Sequence, residues 1–159
     1  MANRRRIEPS AGAAALAAWR AASVRGPAGP SASQANGQVE PQEIDGPGGR
    51  RDVQGDQAGL DRAVLATAVR YSLEELAAGA PGNAVEVRVP PFGAVQCLEG
   101  PRHTRGTPPN LIETVPEVWL ALVTGQLTWS DAVRSGRVQA SGSRADLSDV
   151  LPLTPLGTS

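Results

Sequence analysis

Residues 115–153 constrain the fold more than any other stretch, because helix start and stop signals alternate along them. Pro116 suits the first turn of a helix, where a missing N–H costs nothing. Thr114 and Glu117 have the spacing of a capping box, in which two side chains bond to each other's backbone N–H groups. The sequence therefore predicts a helix that is capped by Thr114 and ends at Gly125 in a left-handed C-terminal cap.

A second helix and a strand follow in the same stretch. Thr128 is expected to cap the helix, with Asp131 at its third position, and Gly136 to end it. Residues 137–141 alternate between polar and apolar side chains, as a half-buried strand does. A final short helix is predicted before Leu153.

The middle of the chain predicts a helix from Asp61 to Ala78, followed by strands. Gly79 and Pro81 are typical helix stops. Val85–Val89 alternates with period two, and the turn after it leads to a second strand over 94–98, which predicts a hairpin. A short strand over 110–114 then leads into residues 115–153. The apolar stripe of the helix consists of Leu65, Val69, Leu73 and Leu76.

This order of elements predicts an α+β fold, with a mainly antiparallel sheet and helices packed on one face. Pro9–Val24 predicts a further helix, with Ser10 as its cap and Leu16 and Trp19 on one side. Because its apolar face is thin, this helix needs a packing partner. We divide the chain into an N-terminal helical segment (1–25), a flexible linker (26–59), a folded domain (60–153) and a tail (154–159), since 26–59 has almost no large apolar residue.

Composition excludes several classes of protein. The net charge of −1 argues against a general nucleic-acid binder and against an anionic-membrane binder. One cysteine, Cys97, excludes an intramolecular disulfide and suits a reducing compartment. Nothing approaches the ~20 apolar residues that span a bilayer, and the N-terminal run is too weakly apolar for a signal peptide. We therefore expect a cytoplasmic protein without stable membrane insertion.

A group of residues falls at the spacing seen near the C-terminus of sterol-carrier-protein-2-type domains: Gly125, Ala132, Gly136, Arg137, Val138 and Gly142. The wider run from 61 to 153 resembles the small bacterial branch of that superfamily, the bacterial sterol-carrier orthologue domain. The resemblance implies an apolar tunnel between sheet and helices. Similar domains bind fatty acyl chains, sterols or other hydrophobic molecules.

The apolar side chains of the last third and of the sheet are expected to form the core. The resemblance also assigns several of them to the wall of a ligand pocket: Val87, Val95, Leu111, Trp119, Leu122, Trp129, Val133 and Val138.

One loop, 101–107, concentrates polar side chains. Arg102, His103 and Arg105 offer donors that suit a carboxylate or phosphate at the mouth of a pocket. The alternative is a solvent-facing loop whose arginines pair with Glu99 or Glu113.

Catalysis has little support in the sequence. No G-x-S-x-G elbow occurs, and no spacing gives His103 a nucleophile and an orienting partner. Cys97 lies in a predicted strand, where apolar surroundings make a thiol inert. One histidine and one cysteine do not make a zinc site with the usual ligands. We expect no catalytic residues, no metal and no cofactor.

These observations favour a non-enzymatic domain that binds a small hydrophobic or amphipathic, lipid-like molecule. Two alternatives stay open. The first is an interaction or accessory module with a filled core and a protein partner, because related modules occur as accessory domains of thiol-dependent isomerases and acetyltransferases. The second is an enzyme, or an enzyme subunit, that uses His103 with a cofactor thiol.

Overall fold

The computed structural model describes residues 6–24, 52–100, 106 and 109–153, with the backbone alone for 52–60. Its elements in chain order are α1 (Pro9–Val24), α2 (Asp52–Gly79), β1 (Val85–Val89), β2 (Gly93–Cys97), β3 (Leu111–Thr114), α3 (Pro116–Val123), α4 (Trp129–Arg134) and β4 (Val138–Ser141).

The described strands form one mixed sheet in the order β2-β1-β3-β4. β1 pairs antiparallel with β2 and parallel with β3, and β3 pairs antiparallel with β4. Helix α2 contacts β2, α3 and α1. The α+β class and the mainly antiparallel sheet are thus confirmed.

Strand β1 shows how the sheet separates a core face from a polar face. Val85, Val87 and Val89 are buried, whereas Glu86 and Arg88 lie on the opposite face. Arg88 Nε donates to Glu86 Oε1 at 2.5 Å. The apolar alternation therefore sets which face of the sheet meets the core.

The predicted helix stops are confirmed. Gly125 and Gly136 both have positive φ angles, 77° and 69°. After α3, Gln126 N donates to Ala121 O, and after α4, Arg137 N donates to the carbonyl of Ala132. These bonds satisfy carbonyls that a helix end leaves open.

The predicted capping box at α3 is wrong. Val115 is the N-cap residue, and α3 has no side-chain cap. Thr114 is the last residue of β3 and pairs with Val138, and its hydroxyl donates to the Arg137 carbonyl at 2.9 Å. Because Thr114 is paired with β4, its hydroxyl bonds to the neighbouring strand and does not cap the helix. A tertiary contact therefore overrides the capping-box pattern of the sequence.

Two element boundaries also differ from expectation. α2 begins at Asp52, so residues 52–59, which we assigned to the linker, are helical. This stretch has no proline, and a helix that has formed extends at low cost. The final short helix is a turn over 148–150 instead. Pro152 disfavours helical geometry in the residue before it. Residues 26–51 and 154–159 lie outside the described part of the chain, and the four-segment division stays a prediction.

Helix α1 has the predicted bounds, but Ser10 is not its cap. The Glu8 carboxylate accepts a hydrogen bond from Ala11 N at 3.0 Å and another from the Ser10 hydroxyl. These bonds, the one from Ser10 foremost, hold the pKa of Glu8 below its usual value. Leu16 is buried, and α1 packs along α2 as its thin apolar face requires.

Candidate functional site

Four of the predicted pocket residues lie together in the interior between the sheet and helices α2 and α3. Val87, Trp119, Leu122 and Val138 are all buried in one apolar cluster. Trp119, with 0% exposure, is the largest fully buried side chain among the described residues. Further buried members of the cluster are Val69, Leu73, Leu76, Ile112, Leu120 and Leu147.

Other predicted pocket residues lie at the edge of this cluster. Val95 and Trp129 are half-buried and pack against it. Trp129 is therefore less enclosed than Trp119, although the sequence offers no obvious difference between them.

Leu111, which was also predicted for the pocket wall, lies on the face of the sheet opposite to this interior. It is half-buried and pairs with Glu86 and Ser141, while Ile112 pairs with Val87 and is fully buried. Consecutive residues of a strand point to opposite faces of the sheet, so only one of the side chains of Leu111 and Ile112 can be internal. Both are apolar, and the alternation of β3 alone does not choose between them.

Val133, another residue predicted for the pocket wall, is 41% exposed. Its neighbour Ala132 is the buried residue of α4. Adjacent helix residues point about 100° apart, so an inward Ala132 turns Val133 toward solvent. The small Ala132 side chain allows α4 to lie close to the core.

A polar pair links α2 and α3 inside the apolar interior. Trp119 Nε1 donates to Ser72 Oγ at 2.8 Å, and Ser72 Oγ donates to the Val69 carbonyl at 2.9 Å. Both side chains are fully buried. Sequence reasoning missed Ser72, although a core tryptophan requires an acceptor for its N–H.

A second polar anchor lies where the chain enters β3. The buried Asn110 side chain donates to the Ala84 carbonyl at 2.9 Å and accepts from Arg144 N at 3.0 Å. Gly142 lies against it with a φ of +103°, and a Cβ there would overlap the Pro109 carbonyl oxygen. Glycine is required for this close approach.

Four of the residues that carry the sequence resemblance thus have identifiable structural roles. Gly125 and Gly136 end helices, Ala132 lets α4 approach the core, and Gly142 closes on Asn110. The family model described as bacterial SCP ortholog matches residues 61–153. The chain belongs to the bacterial SCP ortholog family. This SCP ortholog domain begins inside α2 and excludes α1. A comparison with curated proteins gave no match.

The three site residues of the predicted polar loop in the SCP ortholog domain lie outside the described residues. Arg102, His103 and Arg105 therefore stay predictions, as does the alternative in which the arginines pair with glutamates. Glu99 is exposed and Glu113 half-buried at the two sides of this loop.

Cys97 is a core residue, as predicted. It is fully buried at the end of β2, and burial raises the pKa of its thiol to about 11. The thiol therefore stays protonated near neutral pH, and only a thiolate acts as a nucleophile.

Within 6–24, 52–100 and 109–153, no group of three or more His, Cys, Asp or Glu side chains is placed to hold a metal ion. None of the helices in the described ranges combines the length and apolar character needed to cross a membrane.

Proposed function

We propose that residues 60–153 bind a small hydrophobic or amphipathic, lipid-like molecule between the sheet and helices α2 and α3. The observation that carries this proposal is the SCP-type domain over 61–153, whose described interior is apolar around Trp119 and Leu122. Contacts with such side chains favour an acyl or ring body in proportion to the apolar area removed from water.

The polar end of the ligand is assigned to the loop that contains Arg102, His103 and Arg105. Arginine presents a planar fork of donors that matches a carboxylate or phosphate. The loop precedes β3, whose Ile112 reaches the interior beside Val87. An anionic head on an apolar body is therefore the ligand chemistry we favour.

A non-enzymatic role agrees with the chemistry of the described interior. Its buried hydroxyl, Ser72, already bonds to Val69 O and to Trp119, and Cys97 is held as the neutral thiol. Neither group is activated as a nucleophile by a neighbouring base.

Native mass spectrometry of freshly purified protein tests binding directly, with a co-purified mass as the expected result. Head-group recognition is tested by matched titrations with a long-chain fatty acid and with the alcohol of equal length. Replacing Arg102 and Arg105 with alanine should weaken binding of the acid more than binding of the alcohol. A variant in which Arg134 and Arg137 become alanine loses the same charge elsewhere and should bind both probes like the parent. Equal losses for acid and alcohol would exclude head-group reading by the loop.

A second candidate function is a protein-interaction module with a filled core. Val115 and Val133 are the large apolar side chains that the described structure leaves exposed, at 54% and 41%. Exposed apolar side chains mark a contact surface when they form one contiguous patch. A clean apo mass, together with no saturable binding of acid or alcohol, would favour this module over the ligand-binding domain.

A further inference from the structure

Helix α1 lies outside the family-matched residues, yet its beginning is anchored to the domain. The Glu74 carboxylate on α2 accepts hydrogen bonds from the backbone N–H groups of Arg6 and Ile7, each at 3.1 Å. Ile7 is half-buried and packs against the core. The chain is therefore held just before α1 begins.

The middle of α1 is fitted closely to α2. A Cβ on Gly12 would overlap the ring of Tyr71, a buried residue of α2. Ala15 and Leu16, which follow on α1, are buried in the common core. Gly12 thus sets how closely the two helices approach.

The end of α1 reaches a different helix. Arg20 Nη2 donates to the carbonyl of Thr124, the C-cap residue of α3, at 3.3 Å. α3 has no basic residue in its own last turn. Arg20 therefore supplies the positive charge that the C-terminal end of a helix dipole favours.

α3 is the helix that encloses the proposed ligand site, since Trp119 and Leu122 point into the interior. Its N-terminal end continues directly from β3. Its C-terminal end is held by residues far away in the chain: Arg20 binds Thr124, and Leu153 N donates to the Val123 carbonyl at 3.1 Å. Release of α1 removes the Arg20 contact and so loosens the C-terminal end of α3, while the N-terminal end stays fixed in the sheet.

We propose that α1 is a strap that holds the C-terminal end of α3 against α2, and that its release admits the ligand to the interior. This inference rests on the proposed function and adds its regulation. Interior side chains of α3 are fully buried, so a ligand that reaches Trp119 has to displace packed groups. The strap sets how often this displacement occurs.

The test replaces Arg20 with methionine, which keeps the apolar stem and removes the charge and the donors. Hydrogen exchange is measured at the backbone amides of Thr124 and Gln126, which close the end of α3. Association of a fluorescent long-chain fatty acid is followed by stopped flow. For a partly exposed charge-assisted bond we expect both rates to rise about fivefold.

Arg134→Met is the matched control. Arg134 pairs with Asp131 at 2.9 Å on the exposed surface of α4. Both rates should equal those of the parent in this variant.

Gly12→Ala provides an independent second variant. Alanine favours the helical state of α1 itself, but its Cβ pushes against Tyr71 and weakens docking. Faster exchange at Thr124 and faster probe entry are expected here too, with Arg20 intact.

Unchanged exchange at Thr124 and Gln126 in both variants would overturn the strap. Faster exchange with an unchanged association rate would overturn its role in access and leave the proposed function standing. If neither the parent nor the variants bind the probe, the proposed function fails and the access role fails with it. Binding that appears only in the variants would support the strap.

Discussion

The indole N–H of Trp119 is bonded to the hydroxyl of Ser72 at 2.8 Å, entirely inside the apolar interior. The residues lie on α3 and α2, so this bond joins the two helices that face the sheet. A buried polar group without a partner is costly, and each member of the pair therefore restrains the other. The pair fixes the position of the side chain that fills the centre of the proposed ligand site.

Removing the acceptor should destabilise the domain. Ser72→Ala leaves the indole N–H without its partner and should lower the free energy of unfolding by about 1–3 kcal/mol. Trp119→Phe removes the donor, and the double variant should lose less than the sum of the two single losses. Urea unfolding of all four proteins measures this coupling. Strictly additive losses would mean that the bond contributes nothing.

Trp119 and Trp129 should differ in how much each contributes to the free energy of unfolding. Trp119→Ala removes a fully buried side chain and should cost about 3–5 kcal/mol. Trp129 is half-buried, so Trp129→Ala should cost about half as much. Denaturant midpoints compared at equal slope give both values. A loss for Trp129→Ala that matches the loss for Trp119→Ala would contradict the observed difference in burial.

Cys97 should make stability fall at alkaline pH. Burial raises its pKa to about 11, whereas an unfolded thiol has a pKa of ~8.5. The folded state therefore keeps its proton longer, and its advantage is complete below the unfolded pKa and lost as pH rises toward the folded pKa. Between pH ~8.5 and pH ~10.5, the parent should lose at most ~2 kcal/mol more stability than Cys97→Ala. Parallel pH slopes for the two proteins would place Cys97 in contact with water.

Gly142 and Gly136 form a matched pair of glycines with positive φ angles. Around Gly136 a Cβ would meet no atom within 4 Å, so Gly136→Ala should cost only the ~1–2 kcal/mol of a left-handed backbone. At Gly142 the Cβ would overlap the Pro109 carbonyl and the Asn110 side chain, and the loss should be larger, about 3 kcal/mol or more. Thermal unfolding of both variants measures the difference. Equal losses of stability for Gly136→Ala and Gly142→Ala would show that the backbone around Asn110 shifts at little cost to make room for the Cβ.

Local signals in the sequence are sufficient for several parts of this fold. The ends of α3 and α4 follow from Gly125 and Gly136, because a left-handed residue is needed where a helix stops. The core face of β1 follows from strict alternation, and burial of Cys97 follows from its place beside apolar residues in a strand. The family resemblance also depends on such local signals, because Gly125 and Gly136, which end α3 and α4, are among the residues that carry it.

Tertiary contacts alone decide which of two equivalent neighbours is internal. Pairing with Val87 selects Ile112 over Leu111, and the approach of α4 selects Ala132 over Val133. The hydroxyl of Thr114 bonds across to Arg137 instead of capping α3. The reach of Arg20 to Thr124 joins residues that no periodicity connects. Local patterns set backbone geometry, because that depends on a few consecutive residues, whereas the orientation of each element depends on the surface it packs against.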